Sequence, residues 1–264
     1  MAITRRQFVG DAALAVIALK PVWRRMRWDP QPWGRLTARP AATVRDPLPA
    51  GVHTLSALES RTTVVVVPPG LVPERPAPLI LMFHGATESN TESLDAMQQI
   101  AERSGAILLA PSSAGRTWDA IRGVFGDDLD DIDKQLARVF AHCVVDPGRI
   151  AFAGFSDGAS YAISLGLING DLCSHIIGYS PGFIIPGVWH GHPRVFIAHG
   201  THDHILPIDQ CGRRIASDLT KRGYSVQFAE FDGDHEIRPE MVERSVAWVV
   251  GGAAATGPRA PGGE

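Results

Sequence analysis

The sequence predicts an α/β protein with one mostly parallel sheet of about eight strands and helices on both faces. Three observations carry this. Short β-rich runs alternate with helical stretches from residue 51 onward. The inner runs, such as Leu79-Ile-Leu-Met-Phe83, are continuously apolar, as strands covered on both faces are. The chain has 264 residues, 45% hydrophobic and 20% charged. That is enough for one large core and too apolar for wholesale disorder.

The expected strands, in order, are Val52–Ala57, Thr62–Val67, Leu79–Phe83, Ala106–Ala110, Arg149–Ala153, His175–Tyr179, Arg194–Ala198 and Ser225–Phe231. The first two, separated by Leu58–Arg61, read as a hairpin. The expected helices are Thr91–Ser104, Asp130–Val144, Asp157–Asn169, Asp209–Arg222 and Pro239–Val250. In the second, Ile132, Leu136, Val139 and Cys143 recur at helical spacing on one stripe. Its acidic entry, Asp127–Asp133, suits the positive end of a helix dipole and reads as a solvated face. Strands alternating with helices imply right-handed parallel crossovers. No internal repeat is visible.

Residues 51–251 are therefore expected to form one domain. Before it, 28–50 carries Pro30, Pro32, Pro40, Pro47 and Pro49 without periodicity and reads as an extended linker. After it, 252–264 is rich in Gly, Ala and Pro and reads as a disordered tail. The N-terminus, Thr4-Arg-Arg-Gln-Phe8 followed by the apolar stretch Ala12–Leu19, resembles a twin-arginine export signal over 1–27. That implies a periplasmic or secreted protein. Asp11, Lys20 and Arg24-Arg25 around the apolar stretch keep a cytoplasmic amphipathic helix as the alternative.

Lys+Arg 25 against Asp+Glu 28 gives a formal charge of −3. No basic field exists to hold nucleic acid. Cys143, Cys173 and Cys211 lack a C-x-x-C spacing, which excludes a disulfide scaffold and a cysteine zinc site. No apolar run approaches the roughly 18 residues a membrane span needs. His199-Gly-Thr-His-Asp-His204 superficially suggests metal binding. Thr201 stands where a third regular ligand would be, so no metal and no cofactor is assigned.

The chemistry points elsewhere. Gly154-Phe-Ser156-Asp-Gly158 is a G-x-S-x-G sequence between an expected strand and an expected helix, the setting of a nucleophile elbow. The competing structural reading is a glycine-flanked serine that caps the helix. A serine hydroxyl needs a base, and the base needs an orienting carboxylate. Asp203 and His235 both follow the ends of later strands, in the order Ser…Asp…His. Ser156 is read as nucleophile, His235 as general base then acid, and Asp203 as the carboxylate that fixes the imidazole tautomer. Asp209 is an alternative acid, but its place at the start of a helix favours capping. The strand Leu79–Phe83 ends in His84-Gly85-Ala86, and the N–H groups of Ala86 and Asp157 are the expected oxyanion donors. His84 is read as a support of that loop. Trp118, Phe183 and Trp189 lie in connections long enough to wall a substrate pocket, or to pack the loops down.

These motifs resemble the α/β-hydrolase superfamily, and within it the small phospholipase/carboxylesterase and polyhydroxybutyrate-depolymerase-like esterases. The residues that carry the resemblance are His84-Gly85, Gly154-Phe-Ser-Asp-Gly158, His199-Gly-x-x-Asp203-x-x-x-Pro207 and Gly233-x-His235. The resemblance implies an α/β-hydrolase fold and a serine esterase that acts on small-molecule esters through an acyl-enzyme. In those families the residues after the HG pair and after the serine donate to the oxyanion, which implies Ala86 and Asp157. Asp157 stands where many carboxylesterases have glutamine. The connection Ser180–Pro193, where larger relatives insert a cap, has only fourteen residues, so no large cap domain is expected. The same site also suits acyl transfer or peptide hydrolysis, and the fold also serves non-catalytic binding proteins.

Overall fold

A computed structural model describes residues 33–44, 46–55, 62–72, 75–86 and 94–251. The export-signal motif and the tail lie outside the described residues. Every strand and helix below belongs to the unit that begins at Gly34.

Among the described residues eight strands form one sheet: β1 Gly51–Thr54, β2 Val64–Val67, β3 Ala77–Phe83, β4 Ile107–Ala110, β5 Val145–Phe155, β6 His175–Tyr179, β7 Arg194–Gly200 and β8 Val226–Phe231. Their order is β1-β2-β4-β3-β5-β6-β7-β8. β1 and β2 pair antiparallel, as a hairpin should, and β2 runs antiparallel to β4. Every other pairing is parallel. β5 begins earlier than its sequence suggests. The expected strand starts at Arg149, after Pro147-Gly148, but Val145 already pairs with Ala77 and the register shifts before Leu79 meets Ile150.

The helices are α1 Leu94–Ser104, α2 Asp127–His142, α3 Asp157–Ile168, α4 Gly212–Lys221 and α5 Pro239–Val250. The sheet separates two cores. One holds Leu79, Leu81, Phe152, Ile176 and Ile197 with side chains of α2, α3 and α4. The other holds Ile80, Ala151, Ala153, Ile177 and Phe196 with α1 and α5. Alternate residues of one strand thus feed opposite layers, which is why the inner strands are apolar throughout. In α3 every residue from Gly158 to Ile168 is buried.

The chain leaves β3 to one side for β4 and returns to the other side for β5. The carboxyl ends of β3 and β5 therefore flank the point where strand order reverses, the usual place for a site in an open α/β sheet. Among the described residues no large cap stands over that edge. The connection 180–193 is instead stapled to α3 by two helix hydroxyls. Ser160 Oγ accepts the Gly182 N–H at 3.0 Å and Ser164 Oγ accepts the Ile185 N–H at 2.8 Å.

The described residues of the segment read as a linker, 33–44 and 46–50, are irregular, but the part from Gly34 to Ala38 is anchored. Leu36 is buried, and its N–H donates to Asn169 Oδ1 at 2.8 Å. The Thr37 and Ala38 N–H groups both donate to Asp133 Oδ1 at 2.8 Å. Arg35 meets Asp171 in a bidentate pair at 2.7 and 2.8 Å, and Arg39 adds a third contact at 2.8 Å. Prolines reveal a lack of secondary structure, not a lack of packing. The acidic entry of α2 is only partly the solvated face its sequence suggests: Asp127 and Asp130 are exposed, but two of its carboxylates face inward. Asp128 and Asp131 are buried, and Asp128 accepts the N–H groups of Ala114 and Asp119 at 2.7 and 2.8 Å. Among the described residues no helix is long and apolar enough to cross a membrane.

Candidate active site

β5 enters α3 without a loop, so the residue at the junction must turn sharply. That residue is Ser156, at φ 56 and ψ −120 degrees. Residues with a Cβ rarely adopt this region. The flanking glycines permit the turn. A Cβ on Gly154 would sit 2.2 Å from the Gly158 carbonyl oxygen, and one on Gly158 would sit 2.2 Å from that of Phe83. Only hydrogen fits where the elbow folds on itself and against the end of β3. Ser156 makes no side-chain cap to α3, so its hydroxyl is not spent on the helix. Its own N–H is taken by Tyr179 O at 2.9 Å.

That hydroxyl lies 2.9 Å from His235 Nε2, and His235 Nδ1 lies 2.7 Å from Asp203 Oδ2. A carboxylate oxygen only accepts, so Nδ1 carries a proton and Nε2 is left to accept from Ser156. The imidazole packs against the Phe155 ring at 4.8 Å between centroids. Asp203, in the loop after β7, has a fully buried side chain. Its other oxygen, Oδ1, accepts the N–H groups of Ile205 and Leu206 at 3.0 and 2.7 Å. Burial alone would raise its pKa. The His235 hydrogen bond, the Leu206 N–H and the two nearby imidazoles outweigh burial, and the carboxyl ends below its ordinary value. Asp203 is thus held as an anion under the ring it orients.

The Asp157 N–H is the first of α3 and has no acceptor within the helix. Its side chain accepts from Thr117 Oγ1 at 2.7 Å, which ties the elbow to the 112–126 connection. Ala86 is exposed in the turn after β3, next to the elbow in strand order. His84 supports that turn. Its Nε2 accepts the Ser113 N–H at 3.1 Å, and its Nδ1 lies 2.8 Å from Gly85 O. With Nε2 accepting, Nδ1 holds the proton and donates to that carbonyl.

Two of the three aromatic pocket candidates fall away. Trp118 is fully buried, stacked on Tyr161 at 4.9 Å and edge-on to Phe83 at 5.1 Å, and its Nε1–H donates to His84 O at 2.9 Å. It is a prop under the HG turn and lines no pocket, because an indole between two core rings has no free face. Trp189 packs edge-on to Tyr224 and beneath the Arg222 guanidinium. Tyr224 precedes β8, so Trp189 lies at the opposite edge of the sheet from Ser156. Phe183 alone is exposed, at 37%. Asp209 is no second acid and no cap. It is exposed and pairs with Arg213 at 2.7 Å, while α4 begins three residues later behind Cys211.

The histidines of the 199–204 loop diverge. His199 is buried, whereas His202 is exposed and faces Asp232 at 3.1 Å. Among the described residues no group of three or more His, Cys, Asp or Glu side chains could hold a metal ion. A cavity of about 780 Å³ lies on the α1–α5 face between Met82, Ile100, Tyr179, Ile237 and Val246, and no member of the Ser156 relay lines it.

Sequence reasoning missed the carboxylates that organise 112–126, buried Asp128 and half-buried Asp119, and the serine staples. Asp119 Oδ2 accepts the N–H groups of Gly126 and Asp128 at 2.8 and 3.0 Å. The staples had a signal. Ser156, Ser160 and Ser164 recur every fourth residue in an otherwise apolar helix.

Comparison with known proteins agrees with this architecture. The sequence profile of the phospholipase/carboxylesterase family matches residues 127–248, which include Ser156, Asp203 and His235. No curated protein matches the sequence. Among solved structures, a fluorophosphonate-binding serine hydrolase of Staphylococcus aureus is similar at 16% identity and a TM-score of 0.62, over 77% of this chain and 99% of that one. A ferulic acid esterase of Anaeromyces mucronatus is similar at 16% identity and a TM-score of 0.56, over 81% of this chain and 97% of that one. An S-formylglutathione hydrolase of Agrobacterium tumefaciens is similar at 15% identity and a TM-score of 0.56, over 75% of this chain and 91% of that one.

Proposed function

We propose that this chain, an α/β-hydrolase by fold, is a serine esterase that cleaves carboxylic esters of small molecules. The observation that carries the reading is the relay in which one imidazole meets both a strained serine and a buried carboxylate, at 2.9 and 2.7 Å. The family whose profile matches is described as phospholipase/carboxylesterase, and the similar structures include a serine hydrolase and a ferulic acid esterase. Both descriptions agree with ester cleavage.

In this reading Ser156 Oγ attacks the ester carbonyl as His235 Nε2 takes its proton. The tetrahedral oxyanion forms beside the N–H groups of Asp157 and Ala86. The amino end of α3 adds its dipole to the same spot. His235 then protonates the leaving alcohol, which leaves an acyl-Ser156 ester. Water, deprotonated by the same nitrogen, releases the acid and restores the hydroxyl. Asp203 stays ionised throughout and offsets the charge of the transient imidazolium. The short 180–193 connection favours accessible esters over substrates that need interfacial opening.

The test is a series of nitrophenyl esters of rising acyl length, run on the wild type and Ser156→Ala. The wild type should hydrolyse the short members, and the variant should lose on the order of 10⁵-fold in kcat. Equal rates in the two proteins, or a wild type inert toward the whole series, would overturn the proposal.

A further inference from the structure

His199 lies beside the relay, and a role for it rests on the esterase reading above. The side chain is wholly buried at the end of β7, four residues before Asp203. Its Nε2 lies 2.8 Å from Leu206 O and 3.1 Å from Asp203 Oδ2. Neither oxygen can donate, so Nε2 carries a proton and faces both. Asp203 Oδ2 therefore has imidazole N–H groups on two sides, His235 Nδ1 at 2.7 Å and His199 Nε2 at 3.1 Å. Leu206 closes the circuit. Its N–H holds Asp203 Oδ1 at 2.7 Å while its carbonyl holds His199.

The other nitrogen, Nδ1, is buried and has no hydrogen-bond partner. It rests against Gly212, the first residue of α4. A Cβ there would lie 2.5 Å from Nδ1. The amino end of a helix opposes a second proton at that nitrogen. Burial, which the Leu206 and Asp203 contacts only partly offset, holds the imidazole below its ordinary pKa. The ring is thus a neutral donor of fixed tautomer. A buried imidazole left with one nitrogen unsatisfied is costly, so its hydrogen bonding rests on Nε2 alone.

We propose that His199 is a positioning residue of the triad: its Nε2–H, shared between Leu206 O and Asp203 Oδ2, fixes the carboxylate in the orientation that His235 requires. His199 touches no substrate. It acts through Asp203, by holding the oxygen that sets the tautomer and plane of the His235 ring. With that N–H gone, the carboxylate keeps its two backbone donors on Oδ1 but is free to rotate Oδ2 away from Nδ1. The loss then falls on the step in which His235 takes a proton, and substrate binding is spared.

The experiment uses the full chain with His199→Leu, His199→Gln, His199→Asn and Asp203→Asn, and the Leu variant combined with Asp203→Asn. His199→Leu should lower kcat by about 10- to 100-fold and leave KM within about twofold. His199→Gln can place an amide N–H near the Nε2 position and should recover most of that loss, whereas the shorter His199→Asn should not. In the Asp203→Asn background the Leu substitution should cost less than about threefold, because the group it acts through is already gone. Wild-type kcat in His199→Leu, the same fold loss in both backgrounds, or equal rates for Gln and Asn would each overturn the proposal. If the Leu variant does not fold, the Gln and Asn pair decides alone. Persistent ester cleavage by Ser156→Ala would instead overturn the esterase reading. A dead Ser156→Ala beside a fully active His199→Leu would remove only the role of His199.

Discussion

Gly158→Ala isolates the geometry of the elbow from its chemistry, because it adds one methyl group and changes no polar atom. A Cβ at this position would lie 2.2 Å from Phe83 O and 2.4 Å from His84 O, where contacts below 3.0 Å essentially never occur. The first turn of α3 and the end of β3 must therefore separate by at least about 0.8 Å to relieve the overlap. The cost is not confined to strain. One side of the gap carries Ser156 and the Asp157 N–H, and the other carries the turn that presents Ala86. Opening it pulls the nucleophile and one oxyanion donor away from the other donor. A misplacement of about 1 Å costs roughly 10²-fold in rate, and loss of one oxyanion donor costs roughly 10²- to 10³-fold. Overpacking of this kind costs about 1–3 kcal/mol of stability, and in a protein of this size each kcal/mol lowers Tm by roughly 2–4 °C. Gly158→Ala should therefore lose at least about 10²-fold in kcat/KM on a short nitrophenyl ester, with Tm lower by roughly 2–12 °C. Steady-state kinetics and a calorimetric melt of the same preparation read both. Wild-type kcat/KM together with an unchanged Tm would refute the claim that close approach dictates glycine here.

Two further predictions concern stability. Hydrogen bonding to Arg35, opposed in part by burial, lowers the Asp171 carboxyl from 3.8 to about 2. A folded pKa below the unfolded one stabilises above about pH 4, and that contribution is lost as pH falls through about 2. The protection factors of the Leu36 and Thr37 amides, exchange rates divided into their intrinsic values at each pH, should fall over this window in the wild type. In Asp171→Asn they should be low already at neutral pH, and a variant that still matches the wild type there would refute the anchor. Burial, helped by the Arg194 charge, lowers His175 from 6.5 to about 4. The unfolded chain takes that proton more readily, so stability is full above about pH 6.5 and falls as pH drops toward 4, by at most about 3 kcal/mol. Urea midpoints at several pH values should show this slope in the wild type and a flatter one in His175→Gln. Identical slopes would refute it.

Much of the architecture was legible because its determinants are local. Continuous apolar runs marked the strands buried on both faces, and periodicity marked the helices. The G-x-S-x-G sequence between a strand and a helix marked the elbow, since steric exclusion of a Cβ is written directly as glycine. The chain order of Ser156, Asp203 and His235 marked the members of the relay. Boundaries slipped where local signals conflicted with pairing, as at Pro147-Gly148 in β5. The roles of Trp118, Trp189 and Asp209 were misread because loop length and position in sequence do not say which way a side chain faces.

The sequence alone determined which residues can do chemistry and which strand end each one follows. It did not determine that they meet. β8 lies three strands from β5 in the sheet. At ordinary strand spacing that is a separation of roughly 14 Å. Only the path of the loop after β8 brings His235 back to within 2.9 Å of Ser156. The same holds for His199, whose neighbours in sequence suggested metal ligands. Its partners, Asp203 Oδ2, Leu206 O and the backbone at Gly212, are assembled by the packing of α4 against the end of β7. Hydrogen bonds act over about 3 Å and dispersion over little more. Chemistry that depends on convergence within that range is therefore decided by tertiary structure, while the capacity for it is already present in the chain.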